Sequence, residues 1–415
     1  MSGPTDLNGR DCIHGRRSSA TRRALPSRRT VTGTVLALLC CALPPAMVTA
    51  QERDTTRAFV RGGIYDKPYL TTILGRTSIG GYAEAHARWH QVDGITEEAG
   101  FVARRFNLFA SSSVSDWVRF GAELEFEEAG EEVVLEFAAI DVRIHPSLTL
   151  RGGMLLSPLG RFNLSHDSPL NEFTDRPVPS TDIVGVALSE PGIGVLGTLP
   201  LGAGRVTYEV YAVNGFDERL INDSESGTRI PAGADNLEDQ NRSPAFVGRV
   251  AWSPHLSLEV GASAHHGAWN TWSVDGLDVD RRRDLTIVVG DFEAAYAGFR
   301  MAGEIIDARI KLPATLDGLY AARQRGLWAE VLRDFGRGWI ATVPGSFFSA
   351  GVRFESADFD TDLQGDNVRQ WQIGLNFRPT PETALKLSWL RGTTFDRFNN
   401  PAPHAGLRLS MATYF

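Results

Sequence analysis

Trp117 to Glu127 reads WVRFGAELEFE, and the order of its residues decides the fold. Val118, Phe120, Ala122, Leu124 and Phe126 alternate with Arg119, Gly121, Glu123, Glu125 and Glu127. Successive side chains of a strand point to opposite faces. This strand therefore has one apolar face and one charged face. A soluble edge strand can show the pattern once. Repetition along the chain points to lipid on one side and water on the other.

The pattern repeats. Ser346 to Ser356 sets Phe348, Ala350, Val352 and Phe354 against Ser349, Gly351, Arg353 and Glu355. Val368 to Phe377 sets Trp371, Ile373, Leu375 and Phe377 against Gln370, Gln372, Gly374 and Asn376. Sixteen such segments centre near residues 84, 106, 122, 138, 151, 192, 209, 248, 262, 290, 304, 328, 351, 372, 388 and 410. After residue 50 no apolar run is long enough for a membrane helix. The expected fold is all-β: a transmembrane antiparallel β-barrel of about 16 strands, an even number as single-chain bacterial barrels require.

The connections alternate in length. Short turns fall near Ser112 to Asp116, His145 to Ser147, Leu199 to Gly204, Ser253 to His255, Tyr296 to Gly298 and Arg378 to Glu382. Longer polar loops are Ser157 to Ile183, Gly215 to Arg242, Trp272 to Arg282, Lys311 to Ala322 and Phe395 to His404. Long loops on one side and tight turns on the other is the outside/periplasm asymmetry of such barrels. Asp334 to Gly345 breaks this rule. The last strand, Ala405 to Phe415, puts Leu407, Leu409, Met411 and Phe415 on one face and resembles the terminal strand of outer-membrane barrels.

Residues 1–50 read as a signal peptide. Arg16, Arg17, Arg22, Arg23, Arg28 and Arg29 make a basic region, Val35 to Ala42 a short apolar core, and Val48-Thr49-Ala50 the small residues before cleavage. Residues 51–77 are then an N-terminal periplasmic segment and 78–415 the barrel. All three cysteines, Cys12, Cys40 and Cys41, fall in the leader, so the expected mature chain has neither disulfides nor thiolate metal ligands. Taking the leader's seven arginines and two aspartates from 42 basic and 50 acidic side chains leaves 35 against 48, a formal charge of −13. That argues against nucleic acid as a partner.

Leu135 to Pro179 resembles the phosphate-selective porin O and P family. The matching features are Phe137 to Arg143, then Leu150 to Gly160 (LRGGMLLSPLG), then the proline-punctuated loop to Arg176-Pro177-Val178-Pro179. Gly80 to Glu84 and Tyr211 to Gly215 add to it. The resemblance implies a sixteen-stranded homotrimeric porin of the outer membrane, with the third external loop folded into the lumen as a constriction. Ser157 to Ile183, counted as that third loop, is long enough to be functional. One feature departs from the family. Lys67, Lys311 and Lys386 are the only lysines, and inward arginines are balanced by inward glutamates, so phosphate specificity does not carry over.

The site expectation follows. Arg161, His166, Asp167, Glu172, Asp175 and Arg176 of the third loop face Arg88, Arg119 and Arg353 on the wall, giving opposed charges across a narrow gap. Glu123, Glu125, Arg249, Lys386 and Arg408 complete the pore wall. The bland alternative is loop charges paired with one another on a solvated surface. Ser165-His166-Asp167-Ser168 is read as polar loop rather than a catalytic triad, because triads are assembled in space. Of His265-His266 only His265 faces the lumen, so no metal site or cofactor is expected. Trp89, Trp252, Trp371 and Trp389 are read as interfacial anchors. The expected function is passive diffusion of small hydrophilic solutes or ions, anions such as phosphate among them, and not enzymatic chemistry. The alternative is a non-conducting barrel acting as scaffold or enzyme. A plugged scaffold would pack apolar side chains inside, whereas the inward Glu, Arg, Gln and Ser residues argue for water.

Overall fold

A computed structural model describes residues 71–73, 76–185, 187–221 and 227–415. The expected signal peptide, and all but the end of the expected 51–77 segment, lie outside these residues. Thr71–Ile73 is a short strand paired with the start of the barrel, Thr71 opposite Ile79 and Ile73 opposite Thr77.

Sixteen strands follow: β1 (Thr77–Val92), β2 (Ile95–Ser113), β3 (Val118–Glu127), β4 (Glu132–His145), β5 (Leu148–Leu156), β6 (Ser189–Leu201), β7 (Gly204–Val213), β8 (Ala245–His255), β9 (Leu258–Ala268), β10 (Asp284–Tyr296), β11 (Phe299–Ile310), β12 (Arg323–Phe335), β13 (Phe347–Asp358), β14 (Asn367–Thr380), β15 (Thr383–Phe395) and β16 (Pro401–Tyr414). Each pairs antiparallel with the next. β16 closes on β1, with His404 opposite Val92 and Tyr414 opposite Tyr82. Each of the sixteen predicted centres falls in its own strand.

The alternation holds in three dimensions. In β3, Glu123 and Glu125 are buried inside the barrel while Leu124 is exposed outside. Ile140, Ile305, Ile373 and Leu375 are likewise exposed on the outer face, Ile305 by 64%. An exterior this apolar suits lipid rather than water. Tight turns join the strands where the backbone allows them. Ala297-Gly298 has φ of 51° and 80°, the two-residue hairpin geometry that favours glycine second.

At the long-loop end, the connections after β1 and β3 span only 93–94 and 128–131. The segment between β5 and β6, 157–188, is therefore third on its side but the first long one. At the opposite end the exception stands, with 336–346 joining β12 to β13. It is built as an aromatic foot. Trp339, 72% exposed, sits edge-on to Phe335 at 5.9 Å, and Arg337 lies over Phe347 at 4.5 Å. Gly336 and Gly338 take φ of 67° and 75° to make the fold-back.

The lumen differs from the expected uniformly polar one. In its long-loop half, Tyr211, Val213, Val247, Ile287, Val289, Ile306 and Ala308 point inward and are buried. They pack with Leu159, Ile183 and Leu188 of the 157–188 loop and with Phe216, Leu220 and Ile230 of the 214–244 loop. The reason is local. Leu285 to Val289 is apolar at nearly every position, so both faces are buried or lipid-facing and no period of two survives. Polar inward residues persist elsewhere, including Arg353, Glu355, Gln372 and Lys386.

Candidate functional site

The 157–188 segment, the third loop, turns into the barrel. Pro158, Pro169, Pro177 and Pro179 deny it regular pairing, and only the short helix Arg161–Leu164 and a single wide turn, Ser180–Val184, interrupt it. Its backbone polar groups then need partners inside the barrel, and inward wall residues supply them. Glu304 of β11 accepts from the Phe162 backbone N–H (2.6 Å), the Ser180 hydroxyl (2.8 Å) and Trp328 Nε1 (3.0 Å). One buried carboxylate thus holds both ends of the loop. Ser263 Oγ accepts from the Gly160 N–H at 2.8 Å, and Glu355 from the Val178 N–H at 3.0 Å.

The middle of the loop reaches the opposite wall. Ser168 Oγ donates to Glu84 of β1 (2.6 Å) and accepts from Arg105 of β2 (3.1 Å). Lys386 of β15 donates to the Ser168 carbonyl at 2.6 Å, and Arg378 of β14 to the Pro169 carbonyl at 3.0 Å. The loop is bonded to walls on both sides of the lumen and crosses it.

The predicted loop residues bind the wall rather than each other. Arg161 pairs with Glu259 (3.2 Å) and with Glu293, and Arg249 shares that Glu259 (3.0 Å) while bonding Asp291 (2.5 Å). His166 is buried 2.8 Å from Glu136, with Nδ1 2.7 Å from the Asn163 carbonyl. Asp167 accepts from the Tyr414 hydroxyl at 2.9 Å. His166 and Asp167 thus engage different walls, β4 and β16. Glu172 accepts from Arg300 (2.7 Å), Asn376 (2.7 Å) and Ser349 (2.6 Å) and pairs with Arg378 (3.1 Å). Burial would raise the Glu172 carboxyl, but Arg378 and Arg300, with these hydrogen bonds, hold it down at about 2. Asp175 pairs with Arg408 at 3.2 Å, and its carbonyl accepts from Arg353 at 2.5 Å. Arg353 also lies 4.6 Å over the Phe173 ring. Arg176 stands 4.0 Å from Glu125, which Arg105 approaches at 3.0 Å. Glu123 accepts from Asn107 at 2.6 Å.

Two expected facing partners are displaced. Arg88 bonds His86 (3.2 Å) and Glu98 (3.4 Å) near the long-loop end. Arg119 stands opposite Asp141 at the short-turn end and is exposed. Each sits on the inward parity, but parity does not give height, and the loop crosses between them. Arg353 is the one of the three that meets the loop. Residues missed from sequence include Glu136, Arg300, Glu304 and Arg378, and Ser168, read only as polar loop. Arg378 before Pro379 reads as turn, yet the alternation Gln372, Asn376, Arg378 marks it as inward. His265 faces inward, 3.2 Å from Glu190, and His266 faces outward to Thr286 (2.8 Å), as their adjacency requires.

Space remains on both faces of the loop. Toward the long-loop end, beside the short connections over β1 to β4, Arg88, Glu98, Arg104, Glu127 and Asp175 keep 20–37% of their side chains exposed. This mouth is off-centre and mixed in charge. On the other face a cavity of about 120 Å³ is lined by Phe162, Leu170, Glu172, Arg300, Trp328 and Glu330.

No family model matches the chain. An uncharacterized protein of Aquifex aeolicus (strain VF5) is 27% identical over 365 residues, spanning 80% of this chain and 79% of that one. Solved structures share the fold, three of them as follows. The outer membrane channel DcaP of Acinetobacter baumannii has a TM-score of 0.55 at 13% identity, covering 83% of this chain and 99% of that one. The anion-selective porin from Comamonas acidovorans has 0.54 at 12%, covering 82% and 99%. OmpT of Vibrio cholerae, in a trimer form, has 0.50 at 11%, covering 82% and 100%. At such identities these likenesses carry the fold and nothing finer. The chain is a closed sixteen-stranded antiparallel barrel of the porin type, with its third loop folded across the lumen.

Proposed function

We propose that this protein is an outer-membrane channel for passive diffusion of small hydrophilic solutes or ions. The observation that carries the reading is the third loop, which crosses the lumen and is bonded to wall residues from β1 to β16. The apolar exterior supports a place in lipid. Trp89, Trp371 and Trp389 are exposed toward the long-loop half, and Trp252 and Trp339 toward the other end, as aromatic girdles would be. In such a channel the protein does no chemistry, and charge and loop-set diameter select the solute. Here the route follows the off-centre mouth past Arg88, Glu98, Asp175 and Arg408. Phosphate specificity finds no lysine ladder in support, because inward-facing Lys386 is spent on the Ser168 carbonyl. A homotrimer is part of this proposal and agrees with the trimer form of one similar fold.

A second reading has a specific observation behind it. Inward charges are buried around the circumference, and an apolar cluster fills the β4 to β14 side of the long-loop half, as a non-conducting barrel would have. Conductance of the refolded protein in a planar bilayer under a salt gradient separates the two. Uniform small steps are expected, and the reversal potential gives the preferred ion. A folded, inserted barrel without steps would replace the channel with the plugged scaffold.

A further inference from the structure

The outer face carries a charged patch that the channel does not use. On four of the five adjacent strands β11 to β15, all but β13, arginines point away from the lumen in the long-loop half. They are Arg309, Arg323, Arg325, Arg369 and Arg391. Their neighbours fix the direction, since Ala308, Gln324, Val368, Gln370 and Leu390 are buried inside. Arg309 stands opposite Arg323, and Arg325 opposite Asp307 and Asp358. Arg369 is opposite Ser356, and Arg391 opposite Trp371.

The patch has an excess of positive charge. Asp307 takes Arg309 Nε at 2.9 Å, Arg325 Nε at 3.3 Å and also Arg323, three guanidinium groups on one carboxylate. The Arg309 and Arg325 side chains keep 68% and 55% of their surface exposed. Arg369 and Arg391 are exposed, and no hydrogen bond or ion pair to either is found among the described residues. Two acids, Asp307 and Asp358, stand among five arginines, in a chain whose formal charge is −8. The patch borders the exposed rings of Trp371 and Trp389, where the apolar band ends. Solvated surface alone does not account for a basic cluster there in an acidic protein. A guanidinium fork matches phosphate oxygens two at a time, and a ring beside it suits the depth of a headgroup.

We propose that this face binds the phosphate groups of outer-leaflet lipid headgroups, which the spare guanidinium donors of Arg325, Arg369 and Arg391 clamp beside Trp371. The proposal rests on the membrane reading above. The test compares the wild type with an Arg325→Ser/Arg369→Ser/Arg391→Ser variant, none of which faces the lumen. Both are refolded into phosphatidylcholine vesicles, into the same vesicles doped with a bisphosphorylated glycolipid, and into phosphatidylcholine with inorganic phosphate in solution. Thermal unfolding is read by gel mobility, and retained glycolipid by phosphorus assay. A ligand bound only by the folded state raises the midpoint. The wild-type midpoint is expected to rise with the glycolipid alone. In the variant the rise disappears and retained glycolipid at least halves, with the midpoint in phosphatidylcholine unchanged. An equal rise in both proteins, or none in the wild type, overturns the site. The same rise with inorganic phosphate overturns the lipid as its source. Failure of the wild type to become protease-protected in any vesicle would instead remove the membrane reading.

Discussion

The hydroxyl of Tyr414, the final residue of β16, donates to Asp167 of the third loop at 2.9 Å, joining positions 247 residues apart. The Tyr414 ring packs separately on Tyr82 and Phe109. Tyr414→Phe therefore removes one hydrogen bond to a charged group, about 1.5–3 kcal/mol of local anchoring, and leaves the barrel closed. Single-channel records of the variant should show more frequent switching between levels. Records indistinguishable from wild type would mean that the loop is held without this bond.

Glu172 is the most heavily partnered loop carboxylate. Glu172→Gln leaves Arg378 inside the barrel without its carboxylate partner and Arg300 with only Asp334, at 2.8 Å, and breaking such a buried pair costs about 3–5 kcal/mol. The loop should unseat. Larger conductance steps and a reversal potential shifted toward anions are the expected result. Unchanged step size with unchanged selectivity would exclude Glu172 from the constriction.

The same carboxylate sets a pH window. Its value is lowered from the ordinary 4.5 to about 2, so its contribution to seating is complete above the ordinary value and is lost as pH falls toward the lowered one. Step size should stay constant from about pH 7 to pH 5 and increase only in stronger acid. An increase already between those two values would show that another group governs the loop.

Gly153 in β5 has φ of 132°, and a Cβ there would lie 2.1 Å from the Ala138 carbonyl oxygen of β4. Gly153→Ala adds backbone strain of about 1–3 kcal/mol to that contact. The urea midpoint of the refolded barrel should fall. A midpoint equal to wild type would mean that β4 and β5 shift apart at no measurable cost.

The barrel was legible because lipid outside and polar groups inside write a period of two onto each strand, as at Trp117 to Glu127. Legibility failed where that contrast vanished. Leu285, Ile287 and Val289 face inward beside outward Val288, and an apolar run does not say which side is lumen. Charge and length drew attention to the third loop, and its residues do meet the wall. Their partners were not legible, because Thr174 and Ser388 are 214 positions apart and nothing local pairs them. Parity placed Arg88 and Arg119 on the correct face, but their distance from the crossing depends on where each strand begins along the barrel axis.

The loop's attachments also bear on the order of assembly. Its partners include Glu84 and Arg105 from the first two strands, and Arg378, Lys386, Arg408 and Tyr414 from the last three. These two groups meet only when β16 zips onto β1. Until that seam seals, the central anchors of the loop do not exist as a set, and such long-range contacts form late. The loop that crosses the lumen is then a clasp over the seam. Loss of its anchors should loosen the sealed ring as well as widen the route through it.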